Sequence, residues 1–299
     1  MATDGRGKGV WIWQIPRCER GDIAAIAAKA KAHGLDRVLI KVLDGRIFNR
    51  ANQGLFEPLI GALRSLGIEP WVWQYIYGND PIGEAAKAAE IVNDLRVPAF
   101  VIDAEAEYEN NRQAAIKYMA TLKEKLNPEV VVGLSSFYRP VFHPLAWDVF
   151  LRDCDFAMPQ VYWFRHNPVW ALRRSFLEFR KWGKPIIPTL PAYTLLYHSP
   201  SEIRTAVAYC NQMQMRGFDF WSWQHAGEAR WQVIGEAKVE RDLKLINLDA
   251  PEGKQVIDCN LQIENGVARV NLRDYNDAIG IETIAQHLGE QGKIYIRRK

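Results

Sequence analysis

The chain has 299 residues, 48% hydrophobic and 24% charged, with a net charge of +3. This is the composition of a globular protein with a sizeable core, and it excludes a disordered or collagen-like chain. No basic stripe argues for nucleic acid, no apolar run is long enough to span a membrane, and the opening M-A-T-D-G-R-G-K-G lacks the apolar core of a signal peptide.

Strand-like and helix-like segments alternate from Gly9 to about Gly227. Val10 to Ile15 reads as a strand, and Asp22 caps a helix over Ile23 to His33 that Gly34 closes. Arg37 to Leu43 is a second strand with a turn at Asp44-Gly45, and Leu55 to Leu66 a second helix ending at Gly67. Trp71 to Tyr77 is the third strand, and Pro81 to Leu95 a helix with proline in its first turn. The fourth strand starts at Ala99 and runs toward Glu109, followed by a helix over Arg112 to Leu126 that Asn127-Pro128 stops. Val130 to Ser136, Asp155 to Trp163, Pro185 to Leu190 and Gly217 to Gln224 supply strands five to eight. Helices are expected at Pro144 to Leu151, Val169 to Trp182 and Glu202 to Met215.

This alternation predicts a (β/α)8 TIM barrel over residues 1–232, with functional groups at the C-terminal ends of the strands. An open doubly wound sheet is the rival topology, but no Gly-rich phosphate loop follows any strand. Beyond that the pattern shifts to short strands with turn signals such as Glu264-Asn265-Gly266, and short helices are expected within Asp274 to Leu288. Residues 233–299 therefore read as a small α+β accessory domain.

The chemistry concentrates at A-F-V-I-D-A-E-A-E-Y-E, Ala99 to Glu109. Asp103, Glu105 and Glu107 stand at every second position, which on a strand puts three carboxylates on one face. Like charges held together repel, so packing alone does not select them. A repeat recurs at Trp11-Ile12-Trp13-Gln14, Trp71-Val72-Trp73-Gln74 and Trp221-Ser222-Trp223-Gln224, and strand six adds Gln160, Tyr162 and Trp163. Within each repeat Trp and Gln have opposite parity, so either the indoles or the amides face the lumen. Aromatic faces and amides around carboxylates suit a polyhydroxylated ligand, with Gln14, Gln74, Gln160, Tyr162, Trp163, Trp223, Gln224 and Lys41 as candidate contacts. Lys41 with Asp44 reads equally as an ordinary ion pair.

His143, His166, His198 and His225 follow strands five to eight without any tight metal-binding motif, so no metal ligands are assigned and no cofactor is expected. Ser135-Ser136 lacks the G-x-S-x-G elbow of a nucleophile. The four cysteines, Cys18, Cys154, Cys210 and Cys259, match no redox or metal spacing and read as buried thiols.

With D-A-E-A-E at strand four, M-P-Q-V-Y-W at six and F-W-S-W-Q at eight, the chain resembles glycoside-hydrolase barrels, namely family-25 lysozymes and family-18 chitinases. Asp103-Ala104-Glu105 matches the Asp-x-Glu of the lysozymes, and Ile40 to Gly45 (I-K-V-L-D-G) echoes their second strand. Asp103, Glu105 and Glu107 map onto the last three acids of the chitinase D-x-x-D-x-D-x-E, with Glu in place of the middle Asp. The strand-one aspartate of the lysozymes and the leading acid of the chitinase motif are both absent here. The C-terminal V-N-L-R-D, Val270 to Asp274, faintly resembles stalk-like domains of bacterial surface proteins.

The resemblance implies a glycosidase acting on an amino-sugar polysaccharide such as peptidoglycan or chitin. Glu105 would be the general acid, Asp103 its polarising partner and Glu107 the alternative acid in the chitinase register. Tyr162 and Gln160 would contact the N-acetyl group in a substrate-assisted reaction. Two rivals stand beside it: a non-catalytic carbohydrate-binding barrel of a phage tail or cell-surface assembly, with the C-terminal domain docking a protein partner, and a metal-dependent deacetylase. A lytic enzyme without a leader fits cytoplasmic synthesis with phage-type release or virion association.

Overall fold

Eight parallel strands close on themselves: β1 (Gly7–Ile12), β2 (Arg37–Asp44), β3 (Glu69–Ile76), β4 (Ala99–Ala104), β5 (Val131–Phe137), β6 (Phe156–Gln160), β7 (Thr189–Pro191) and β8 (Gly217–Trp221). Each strand pairs with its neighbours in sequence, and β1 pairs with both β2 and β8, which completes the ring. Eight helices alternate with them: α1 (Ile23–Ala32), α2 (Phe56–Ser65), α3 (Pro81–Leu95), α4 (Arg112–Lys125), α5 (Trp147–Asp153), α6 (Pro168–Phe179), α7 (Pro200–Gln212) and α8 (Glu228–Glu236). The chain is thus the expected (β/α)8 barrel. This computed structural model describes residues 3–193 and 198–240, together with five short strands between Leu245 and Ile296.

Local chemistry sets the helix starts. Asp22 accepts from the Ala25 amide at 3.0 Å, Asp80 from Gly83 at 3.1 Å, and Asn167 from Val169 at 2.8 Å, each meeting an amide that the first turn leaves unpaired. Strand alternation then divides the side chains. Trp11, Leu39, Trp71, Trp73, Ala99, Val101, Phe156 and Met158 fill the lumen in layers. Each large aromatic buries about 150–250 Å², on the order of 4–6 kcal/mol of apolar stabilisation before ordering costs.

Below this aromatic packing lies an ion pair. Arg37 Nε is 2.8 Å from Asp219 Oδ1, both side chains being excluded from solvent, and the guanidinium lies over the Trp71 ring at 4.6 Å. Arg37 Nη1 also donates to the carbonyls of Gly5 and Arg6. Gly9 makes the room, since a Cβ there would sit 2.4 Å from Asp219 Oδ1. The N-terminal face of the lumen is therefore plugged, and the C-terminal face is left for a site.

Four strands end three or more residues sooner than their sequences suggest. β4 stops at Ala104 instead of running toward Glu109, and Ala106–Tyr108 forms a 3-10 turn. β1, β6 and β8 end at Ile12, Gln160 and Trp221, before Ile15, Trp163 and Gln224. Beyond these ends the chain turns into 3-10 segments after β1, β4 and β8.

The chain divides into two units, Met1–Val207 with Arg216–Val239, and Ala208–Met215 with Glu240–Lys299. In the second, Leu245–Asn247 pairs with Val256–Ile257 and with Tyr295–Ile296. Leu261–Glu264 pairs antiparallel with Val267–Val270, the hairpin expected around Asn265-Gly266. The segment Asp274 to Leu288 and Cys259 lie outside the described residues. Cys18, Cys154 and Cys210 are buried, as expected.

Candidate active site

The lumen parity that buries Leu39, Trp73, Val101, Gly133 and Met158 carries one step further up each strand to Lys41, Tyr75, Asp103, Ser135 and Gln160. Apolar layers thus end in a polar one at the C-terminal mouth. That layer floors a cleft of about 570 Å³, within the range of ligand sites. Trp11, Trp13, Trp73 and Trp221 form its aromatic side. Trp11, Trp73 and Trp221 meet edge-to-face in every pairing, with centroids 5.4, 5.7 and 5.9 Å apart.

Gln160 is the hub of the polar side. Its Nε2 donates to Asp103 Oδ1 at 2.9 Å and to Glu105 Oε1 at 2.8 Å, with Ser135 Oγ at 3.2 Å. An amide nitrogen has two hydrogens, so the two carboxylates take both. Burial holds the Asp103 carboxyl well above the usual carboxylate range, and the charge of Glu105 adds to that. Burial also raises Glu105, the Gln160 amide opposes the rise, and the charge of Glu107 reinforces it. Two carboxyls sharing one amide each disfavour ionisation of the other, which adds to the upward shift of both.

The three acids converge on the cleft, but not along a strand. Asp103 is on β4, Glu105 follows it in a non-strand conformation at φ −126°, ψ −143°, and Glu107 rides the 3-10 turn. Glu105 is half-buried, whereas Glu107 is exposed and accepts from the Tyr75 hydroxyl at 2.6 Å. Beside Tyr75, Tyr77 donates to Asp44 Oδ1 at 3.1 Å, and Lys41 Nζ lies 3.1 Å from the same oxygen. Burial pushes the Tyr75 phenol up strongly and Tyr77 to about 12, so both act as neutral donors. Tyr162 completes the lining, its phenol raised well above its ordinary value by burial and then by the charge of Asp103.

Glu105, Asp103, Glu107, Gln160, Tyr162 and Lys41 are therefore brought together. The remaining candidates are not. Gln74 has helix-facing parity and is fully buried, donating to the carbonyls of Gly45 and Glu84 and accepting from the Tyr118 hydroxyl. Gln14 heads a 3-10 turn and accepts from Arg17 Nη1 at 3.4 Å. Gln224 Oε1 accepts from the Trp13 amide at 3.4 Å. Trp223 is buried edge-on to Trp231 at 4.6 Å, and Trp163 edge-on to His198 at 5.2 Å. In each W-x-W-Q repeat the amide thus serves the scaffold, and Trp11, Trp13, Trp73 and Trp221 reach the cleft.

Tyr75 and Tyr77 were not among the candidates, although their i, i+2 spacing from Trp73 carries the signal for the lumen side. The rim histidines do not converge. His143 Nδ1 is 2.6 Å from Glu109, His166 stacks on Trp170, His198 is buried, and His225 Nδ1 is 2.7 Å from Ser222 Oγ. Among the described residues no three His, Cys, Asp or Glu side chains are grouped to hold a metal ion.

No family model matches the sequence, and no curated protein matches it either. Solved structures do match. A chitinase from Bacteroides thetaiotaomicron has a TM-score of 0.59 at 11% identity, covering 78% of this chain and 96% of that one. A GH113 beta-1,4-mannanase has a TM-score of 0.59 at 12% identity, covering 79% and 99%. The Bacillus cereus spore cortex-lytic enzyme SleL has a TM-score of 0.58 at 9% identity, covering 78% and 74%. The fold is that of glycoside-hydrolase barrels, at wide sequence divergence. No helix among the described residues is long and apolar enough to cross a membrane.

Proposed function

We propose that this barrel, whose fold is shared with chitinases, a mannanase and a spore cortex-lytic enzyme, is a glycoside hydrolase of an amino-sugar polysaccharide, with Glu105 as general acid. The observation that carries the reading is the Gln160 amide held between Asp103 and a half-buried Glu105 at the floor of an aromatic cleft. A general acid needs a pKa near its working pH, and burial beside other carboxylates moves Glu105 in that direction. Glu105 would protonate the glycosidic oxygen as the C1–O bond breaks.

Asp103 and Gln160 hold Glu105 and, in a substrate-assisted reaction, would orient the N-acetyl group whose oxygen attacks C1. Tyr162 would donate to that oxygen, and the indoles would pack on the sugar's C–H faces.

The test is reducing-end release from chitin oligomers and from purified peptidoglycan by the wild type and by Glu105→Gln. Release by the wild type that the substitution lowers about a hundredfold or more supports the reading. The missing carboxylate at the end of β1 favours one other reading, a barrel that binds glycan without cutting it. Retained polysaccharide binding with no release would select that one.

A further inference from the structure

Among the described residues Lys41 is the one lysine that lines the cleft, and its hydrogen bonding there is incomplete. Its side chain is 7% exposed, and Nζ lies 5.0 Å from the Trp73 ring centroid and 5.5 Å from that of Tyr75. An ammonium has three donors. Among the described residues only Asp44 Oδ1 accepts from it, at 3.1 Å. A buried ammonium with two unused donors at the edge of a cavity is an incomplete arrangement, because buried polar groups are normally matched.

Asp44 mirrors it. Oδ1 takes both Lys41 and the Tyr77 hydroxyl, while Oδ2 has no partner among the described residues. Spare donors and a spare acceptor therefore stand side by side, next to two aromatic faces. A sugar hydroxyl, being both donor and acceptor, matches that combination, and the rings offer a surface for the adjoining C–H groups.

Charge decides between a hydroxyl and an anionic substituent. Asp44 already neutralises Lys41, and Asp103, Glu105 and Glu107 line the same cleft, with no second lysine or arginine among the described residues. A carboxylate bound here would face more negative than positive charge.

We propose that Lys41 and Asp44 form one subsite that reads a free hydroxyl of a neutral sugar unit, the hydroxyl donating to Asp44 Oδ2 and accepting from Lys41 Nζ. The cleft then prefers glycans with open hydroxyls to those bearing carboxyl substituents. This inference rests on the glycan-cleft reading and refines its substrate class.

The experiment is calorimetric titration of chitohexaose, and of chitohexaose O-carboxymethylated on its free hydroxyls, into Glu105→Gln protein, where binding is read without turnover. Lys41→Met, Asp44→Asn and the double substitution are added in that background, with melting curves to confirm folding. Each single change should weaken chitohexaose binding about 10- to 100-fold. The double change should cost little more than either alone, since one hydroxyl joins the pair. The carboxymethylated oligomer should bind at least tenfold more weakly than chitohexaose.

Folded variants that bind chitohexaose like their parent would overturn the subsite while leaving the glycan reading intact. So would tighter binding of the carboxymethylated oligomer, which would make Lys41 an anion receptor. Absence of binding to either oligomer by the parent would overturn both. If Lys41→Met fails to fold, the Asp44→Asn titration and the comparison of oligomers on the parent carry the same decision.

Discussion

Tyr75 donates its hydroxyl to Glu107 Oε2 at 2.6 Å, at the mouth of the cleft. That bond separates the roles of two acids that the D-A-E-A-E motif presents as equivalents. Glu107 is exposed and accepts a donor from outside the pair, whereas Glu105 is half-buried and shares Gln160 with Asp103.

Glu107→Gln should therefore keep activity within about tenfold of wild type, a smaller loss than removal of a general acid brings. It should also shift the pH profile. The charge of Glu107 raises Glu105, so its removal lowers Glu105. A general acid works protonated, and the alkaline limb of kcat/KM moves to lower pH. A profile that stays in place would count against the assignment.

Gln160→Leu should move the same limb the other way. The amide favours the charged forms of Asp103 and Glu105 by donating to both, and without it both carboxyls rise further. The limb shifts to higher pH, and the maximal rate falls about a hundredfold because Glu105 is no longer held in line. Opposite shifts in the two variants, read from pH–rate profiles, are the signature of the shared amide.

Asp103→Asn should stabilise the fold while impairing catalysis. The Asp103 carboxyl is raised above its unfolded value, so the folded state binds the proton more tightly. Its contribution is fully present below the unfolded pKa of about 3.9 and is lost as pH rises through the folded pKa. Asparagine carries no such dependence. The variant's Tm should exceed wild type at alkaline pH, and the gain should vanish as pH falls toward about 4. Thermal melts across that range check it.

Arg37→Met should act on stability alone. It leaves Asp219 buried without its partner, which costs about 3–5 kcal/mol. Asp219→Leu in the same chain should recover part of that. KM of the folded fraction should not change, because the pair lies beneath the aromatic layers and not at the mouth.

Much of this was legible in the sequence, and the exceptions have physical causes. The alternation of apolar runs with helices suffices for the barrel, with Asp22 and the first-turn Pro81 marking helix starts directly. Asp103 and Gln160 are legible as the polar ends of lumen-facing rows. Gln74 was misplaced because alternation separates two faces without naming the inner one. That choice comes from closure of the ring, which turns Leu39, Trp73 and Val101 inward and Gln74 toward Tyr118. The convergence of Glu105 and Glu107 was anticipated for another reason than the actual one. A 3-10 turn brings them together, and no propensity in A-E-A-E-Y announces where β4 ends.

The most direct measurement compares chitohexaose with 4-nitrophenyl chitobioside as substrates for wild type and Glu105→Gln. Nitrophenolate departs without protonation, so only the natural linkage needs the acid. The account predicts a loss of about a hundredfold or more on chitohexaose and less than about tenfold on the aryl glycoside. Equal losses on both, or none on chitohexaose, would contradict Glu105 as the general acid.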